Sequence, residues 1–246
     1  MQTSKNQSLI RKRLEENISL GKETLAAYLM LRYPNLETSV KAMLTLANLN
    51  VDIIEINFPF SDPIADGQVI QEAGSVALHQ GITINDLWDT AKLISEETNS
   101  IPLIMTYANI PFQYGFEKFC QKGLESGLQG VIIPDMPPKY FPDELVDLHP
   151  IYLASPLTSD GRLQELVNST SGFLYLISHL GITGEKSNLD TRLKSLVDKV
   201  KALEAELPVL LGFGISDDKS VKKCNENGSR WSYSWKCFNK SSWYTW

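Results

Sequence analysis

The sequence predicts an α/β protein built on a parallel sheet. Within that class it predicts a (β/α)8, or TIM, barrel left incomplete, with its eighth strand and last helix lost. Three observations carry the prediction. Short runs that are apolar throughout recur along the 246 residues, amphipathic stretches separate them, and nothing between them reads as a linker. A strand covered on both faces is apolar at every position, whereas a strand with one wet face alternates. Seven such units in unbroken succession point to one barrel domain over residues 1–228, followed by an aberrant tail over 229–246. A doubly wound sheet is the alternative, but the first βα turn carries no GxGxxG.

The elements follow in order. A helix near 6–18 covers one end. Strands are expected at 25–31 (LAAYLML), 51–58 (VDIIEINF), 101–107 (IPLIMTY), 130–134 (GVIIP), 150–155 (PIYLAS), 173–177 (FLYLI) and 208–212 (PVLLG). Helices are expected at 36–48, 84–97, 114–126, 141–148, 159–169 and 189–206, where apolar residues return at three- and four-residue spacing. Barrel chemistry sits in the loops after the strands. Those loops hold Asp66, Asn109 and Asp135, the segment His179–Gly184 and the segment Gly212–Ser216.

The stretch VDIIEINFPFSDPIADG, residues 51–67, is the richest in chemistry. Glu55 stands among Ile53, Ile54, Ile56 and Phe58, where desolvation disfavours the charged carboxylate and lifts its pKa. That environment prepares a glutamate for general acid–base work near neutral pH. The competing reading is an acid that faces solvent, with Asp-Pro and Asp-Gly marking plain turns.

Composition narrows the function. Hydrophobic content of 43% and charge of 21% are those of a globular protein. A net charge of −6 argues against nucleic acid and against a membrane surface as partner. The start lacks the apolar core of a signal peptide, and no apolar run reaches a membrane span, so a cytoplasmic protein is expected. Cys120, Cys224 and Cys237 lie far apart, and His79 and His149 have no partner at metal-ligand spacing, so no metal is expected.

Five strings occur in order: EINFPFSDPIADG, MTYANIPF, IIPDMPP, YLISHLGITGE and LGFGIS. Together, over roughly residues 8–228, the chain resembles the tryptophan synthase α subunit family. The resemblance implies retro-aldol cleavage of indole-3-glycerol phosphate to indole and glyceraldehyde 3-phosphate, in tryptophan biosynthesis. It implies no cofactor in this chain, because pyridoxal phosphate belongs to the β subunit, the partner in an α2β2 assembly. By the same resemblance Glu55 protonates carbon 3 of the indole, and Asp66 binds the indole N–H and stabilises charge developing on that nitrogen. Tyr28, Met105 and Tyr107 wall the indole, and Tyr175 lies near the glycerol moiety. Thr183 belongs to a loop that closes over substrate, and Gly184 and Gly214 offer backbone N–H groups to the phosphate. Three departures stand out. The family usually has Gly at Asn57, Pro at Gln68, and Gly-Asp-Pro where this chain has Arg32-Tyr33-Pro34. Asn57 is two residues from Glu55 and so on the same strand face.

The tail departs altogether. After Val221 there is no Val, Ile or Leu, and four of the five tryptophans fall in the last 16 residues. Ser229–Lys240 can be encoded so that a reading one nucleotide later gives ADGVIVGSALI, close to the GADGVVVGSA of the family. Trp231 and Trp235 leave no choice of codon, and each TGG forces a glycine in the other frame. A frameshift after Gly228 is the reading. Loss of the buried aliphatics, at about 1.5–3 kcal/mol each, against a net stability of about 5–15 kcal/mol, predicts an impaired and poorly soluble chain. Three alternatives accompany the lyase: a non-catalytic partner that binds and activates the β subunit, the product of a decaying gene, and a sugar-phosphate isomerase barrel. GFGIS alone fits the last of these; the other strings do not.

Overall fold

The structure, a computed structural model, describes residues 8–177, 186–212 and 232–236. In chain order its elements are α1 (Leu9–Ser19), β1 (Leu25–Met30), α2 (Leu36–Asn48), β2 (Ile53–Asn57), α3 (Gln68–His79), α4 (Ile84–Glu97), β3 (Ile101–Met105), α5 (Asn109–Tyr114), α6 (Phe116–Glu125), β4 (Gly130–Ile132), β5 (Leu153–Ala154), α7 (Asp160–Ser169), β6 (Leu174–Ile177), α8 (Lys186–Leu203), β7 (Val209–Gly212) and β8 (Ser232–Lys236). This is the alternation of a (β/α)8 fold. The chain divides into two compact units, Ala26–Leu148 with Lys236–Trp246, and Met1–Leu25 with His149–Trp235.

In the first unit the strands run parallel in the order β4-β3-β2-β1. One face of this sheet presents Ala27, Leu29, Ile54, Ile56, Ile104 and Val131 to the helices. There Trp88 of α4 packs edge-on to Phe119 of α6, ring centroids 5.1 Å apart. The other face carries Tyr28, Glu55 and Leu103 side by side in register. Local sequence starts the helices. Asn35 accepts from the Thr38 N–H at 2.8 Å ahead of α2, and Thr83 and Asp86 form a capping box on α4.

In the second unit β5, β6, β7 and β8 run parallel in chain order. Arg11 of α1 ties that helix to Glu204, Nη1 to Oε1 at 3.0 Å.

Four expectations need correction. Residues 68–79 form a helix, α3, where none was predicted. It buries only the small Ala73, Gly74 and Ala77, while Val69 and Val76 are exposed, so its apolar stripe is too weak to read. The helix expected over 114–126 is interrupted at Gly115, whose φ of +91° is open to glycine and leaves α5 and α6 as separate pieces. The helix expected at 141–148 is a pair of 3-10 turns, Pro138–Tyr140 and Asp143–Leu148, beside prolines that supply no N–H. Finally, where the eighth strand is expected to be lost, the altered sequence Ser232–Lys236 forms β8. Against β7 it registers Ser232 and Tyr233 opposite Leu210 and Leu211, where β6 and β7 register over the four residues Leu174–Ile177. Pairing uses backbone groups that every non-proline residue carries, and tyrosine and tryptophan are favourable in strands. The expected loss of the last helix concerns residues 237–246, outside the described residues. Among the described residues no helix is long and apolar enough to cross a membrane, and no group of His, Cys, Asp and Glu could hold a metal ion.

Candidate active site

The first unit assembles most of the residues singled out from sequence. Glu55 lies at the middle of β2, 1% exposed, with Tyr28 of β1 on one side and Leu103 of β3 on the other. The burial inferred from its isoleucine neighbours is therefore present. Two residues on, Asn57 is level with Met30 and Met105, and its Nδ2 donates to the Tyr28 hydroxyl. Tyr28 and Met105 are both buried.

Asp66 stands in the turn between β2 and α3, half-buried. Its Oδ2 accepts from the Tyr107 hydroxyl at 3.1 Å, and that hydroxyl in turn accepts from the Ala65 N–H at 3.0 Å. The phenol thus ties the loop after β2 to the end of β3, and the Phe60 ring packs against it with centroids 5.6 Å apart. Burial, with the Asp66 and Asp135 charges adding to it, pushes the Tyr107 phenol well above its ordinary value; the Ala65 N–H works the other way. Tyr107 therefore stays protonated and keeps donating across the range in which enzymes work. The sequence suggests Tyr107 as a wall of the site; its bond to Asp66 is the part sequence reasoning missed. Only the arrangement of two loops could disclose it.

Asp135 is engaged structurally, its Oδ1 accepting from the Ala108 N–H at 2.9 Å at the start of α5. Gln68, a departure from the family, leads α3, and its Nε2 donates to Glu72 Oε1 at 3.2 Å on the exposed surface. Arg32, another departure, has φ +65° and donates through Nη2 to Asp86 Oδ2 at 2.9 Å.

Tyr175 belongs to the second unit. It is buried at the centre of β6, level with Leu153 and Leu210, its ring 5.8 Å from that of Phe173. Thr183, Gly184 and Gly214 lie outside the described residues.

A buried glutamate beside aromatic and sulfur-bearing walls, with a half-buried aspartate held by a neutral phenol, can protonate an electron-rich ring and hold a cationic N–H. Comparisons with known proteins place the chain in a family. A family model described as "Tryptophan synthase alpha chain" matches residues 14–230. The tryptophan synthase alpha chain of Dehalococcoides mccartyi is 40% identical over 207 residues, covering 82% of this chain and 80% of its own. That of Methanosarcina acetivorans is 35% identical over 233 residues, covering 92% and 84%. Among solved structures, Mycobacterium tuberculosis tryptophan synthase superposes with a TM-score of 0.83 at 28% identity, covering 92% of this chain and 88% of that one. The Legionella pneumophila tryptophan synthase subunit alpha gives 0.79 at 30%, covering 92% and 86%.

Proposed function

The chain belongs to the tryptophan synthase alpha chain family, the lyases that cleave indole-3-glycerol phosphate, and from that premise we propose that Glu55 and Asp66 carry the reaction. The observation that supports the reading most is the pairing of a fully buried Glu55 with an Asp66 carboxylate held by Tyr107. Glu55 gives its proton to carbon 3 of the indole, which leaves a cationic ring nitrogen that Asp66 stabilises. The glycerol hydroxyl next to the scissile bond then loses its proton to the carboxylate that Glu55 has become. Its oxygen becomes the aldehyde carbonyl, the carbon–carbon bond breaks, and its electron pair returns to the ring as indole. Tyr28 and Met105 flank the ring. Tyr175 serves the glycerol moiety, and Thr183, Gly184 and Gly214 the loop and phosphate, on the resemblance alone. No cofactor is needed by this chain. Its partner is the β subunit, which takes up indole, and both act in the cytoplasm.

The tail is the second part of the proposal. The family match ends at residue 230, beside the change of frame read after Gly228. Indole release is therefore impaired by the altered sequence. A second reading, a chain that docks on the β subunit without turnover, is favoured by Ile64, 81% exposed in the intact loop after β2.

One experiment separates these. Indole release is measured with and without β subunit for this chain, for Glu55→Gln, and for a variant carrying ADGVIVGSALI at 229–239. The expected result is weak release, abolished by Glu55→Gln and raised by the restored tail. Release unaffected by Glu55→Gln refutes the acid–base assignment. Activation of the β subunit without any indole release favours the second reading.

A further inference from the structure

Asn57 and Tyr28 meet on the sheet face that carries Glu55. Tyr28 stands directly opposite Glu55 in the β1–β2 register, and Asn57 follows Glu55 by two residues on the same side of β2. All three are buried, and the Asn57 Nδ2 donates to the Tyr28 hydroxyl. A glycine at 57 would have nothing to donate. An amide buried without a partner costs about 1–3 kcal/mol, so Asn57 and the Tyr28 hydroxyl are a matched pair. A phenol oxygen that accepts an N–H turns its own proton away from that donor, which fixes both the ring and the direction of the O–H.

We propose that Asn57 is a positioning residue for the cleavage reaction: by donating to Tyr28 it holds the aromatic ring opposite Glu55, and so sets how the indole meets the acid. Small misplacements at a reacting centre lower the rate far more than they weaken binding. The inference rests on Glu55 being the acid–base group.

The test is a double-mutant cycle of Asn57→Gly, Tyr28→Phe and the pair, in the full chain. It reads kcat, KM, the pH profile of indole release, and thermal unfolding. Each single variant should lower kcat about tenfold with KM little changed, because the bond that holds the ring opposite Glu55 is lost. It should also displace the pH limb that Glu55→Gln removes. The double variant, which loses the same single bond, should fall no further than either single variant. Unchanged kcat and pH profile in both single variants, with only thermal stability moving, overturns the proposal. Additive losses overturn it as well. Glu55→Gln in the same series separates the two readings: if it leaves turnover intact, the acid–base assignment falls. The pair is then judged by whether the single variants still lower kcat and the double falls no further. Should the chain release no measurable indole, the cycle is run in the variant carrying ADGVIVGSALI at 229–239. Lower kcat with KM little changed in each single variant supports the proposal there, and unchanged kcat in both refutes it.

Discussion

Gly212 has no room for a side chain. A Cβ there would lie 1.8 Å from Tyr175 Cε1, inside a ring that cannot swing aside as a flexible chain end could. Gly212→Ala is expected to lower stability by about 1–3 kcal/mol, measured by urea unfolding. Adding Tyr175→Ala should remove most of the penalty, since the two losses share one contact. Tyr107 makes a different kind of demand. Its hydroxyl joins Ala65 and Asp66, so Tyr107→Phe leaves the carboxylate without that donor. A hydrogen bond to a charged group is worth about 1.5–3 kcal/mol, and kcat for indole release should fall about tenfold or more with the fold intact by circular dichroism. An unchanged kcat would mean that Asp66 is held by other groups.

The helix α4 depends on Asp86, which does two jobs. Its Oδ2 accepts from the Thr83 N–H at 2.7 Å, closing the capping box, and from Arg32 Nη2 at 2.9 Å and Nε at 3.2 Å. Arg32 also donates to the Gln80 carbonyl, so the loop after β1 is pinned to the turn between α3 and α4. Asp86→Ala should cost about 2–3 kcal/mol in chemical unfolding, more than a helix cap alone, because it also strands a half-buried guanidinium. Asp86→Asn, which keeps the cap acceptor but not the charge, should cost less. Equal losses in the two variants would show that the Arg32 link contributes nothing. At the far end of α8, Lys201 Nζ donates to the Ala205 and Leu207 carbonyls at 2.8 and 2.9 Å, which ties the helix to the turn that leads into β7.

The chain as a whole should lose stability in alkali. Burial raises the Cys120 thiol above its ordinary value of 9.0, with the Asp147 charge adding to it. Burial likewise raises the Tyr107 and Tyr152 phenols above 10.0. For each group the unfolded chain ionises first, so the unfolded state gains as pH rises. The stability these groups contribute is complete below their unfolded values and is lost as pH climbs through the folded ones. Lys201 acts in the opposite sense. Burial lowers its pKa from 10.5, so its contribution is present above that value and is lost as pH falls through the folded one. Between about pH 9 and 10 Cys120 and Lys201 oppose one another, and above 10.5 Lys201 no longer contributes to the slope while the two phenols do. Urea unfolding at a series of pH values should show stability falling from about pH 10.5 upward, by at most about 1.4 kcal/mol per unit for each proton. Tyr152→Phe and Cys120→Ala should each flatten the slope. A profile level to pH 11 would contradict the burial of these groups in solution.

The parallel strands, the place of Glu55 and the family were legible in the amino-acid order, because a doubly covered strand must be apolar throughout and a lone acid within one stands out. Helices α4 and α7 were legible for a similar reason, since they bury large apolar side chains at helical spacing, Leu87, Trp88 and Ile94 in one and Leu163, Leu166 and Val167 in the other. The helix α3 was not, because it buries alanine and glycine against Met30 and leaves its larger valines wet. Nor was the filling of the eighth strand position by SYSWK, since backbone pairing is indifferent to the aliphatic pattern that a reader looks for. The bonds from Asn57 to Tyr28 and from Tyr107 to Asp66 join residues 29 and 41 positions apart. Periodicity reports which face of its own element a residue occupies. Which side chain on another element it meets depends on register and loop path, and only the folded chain sets those.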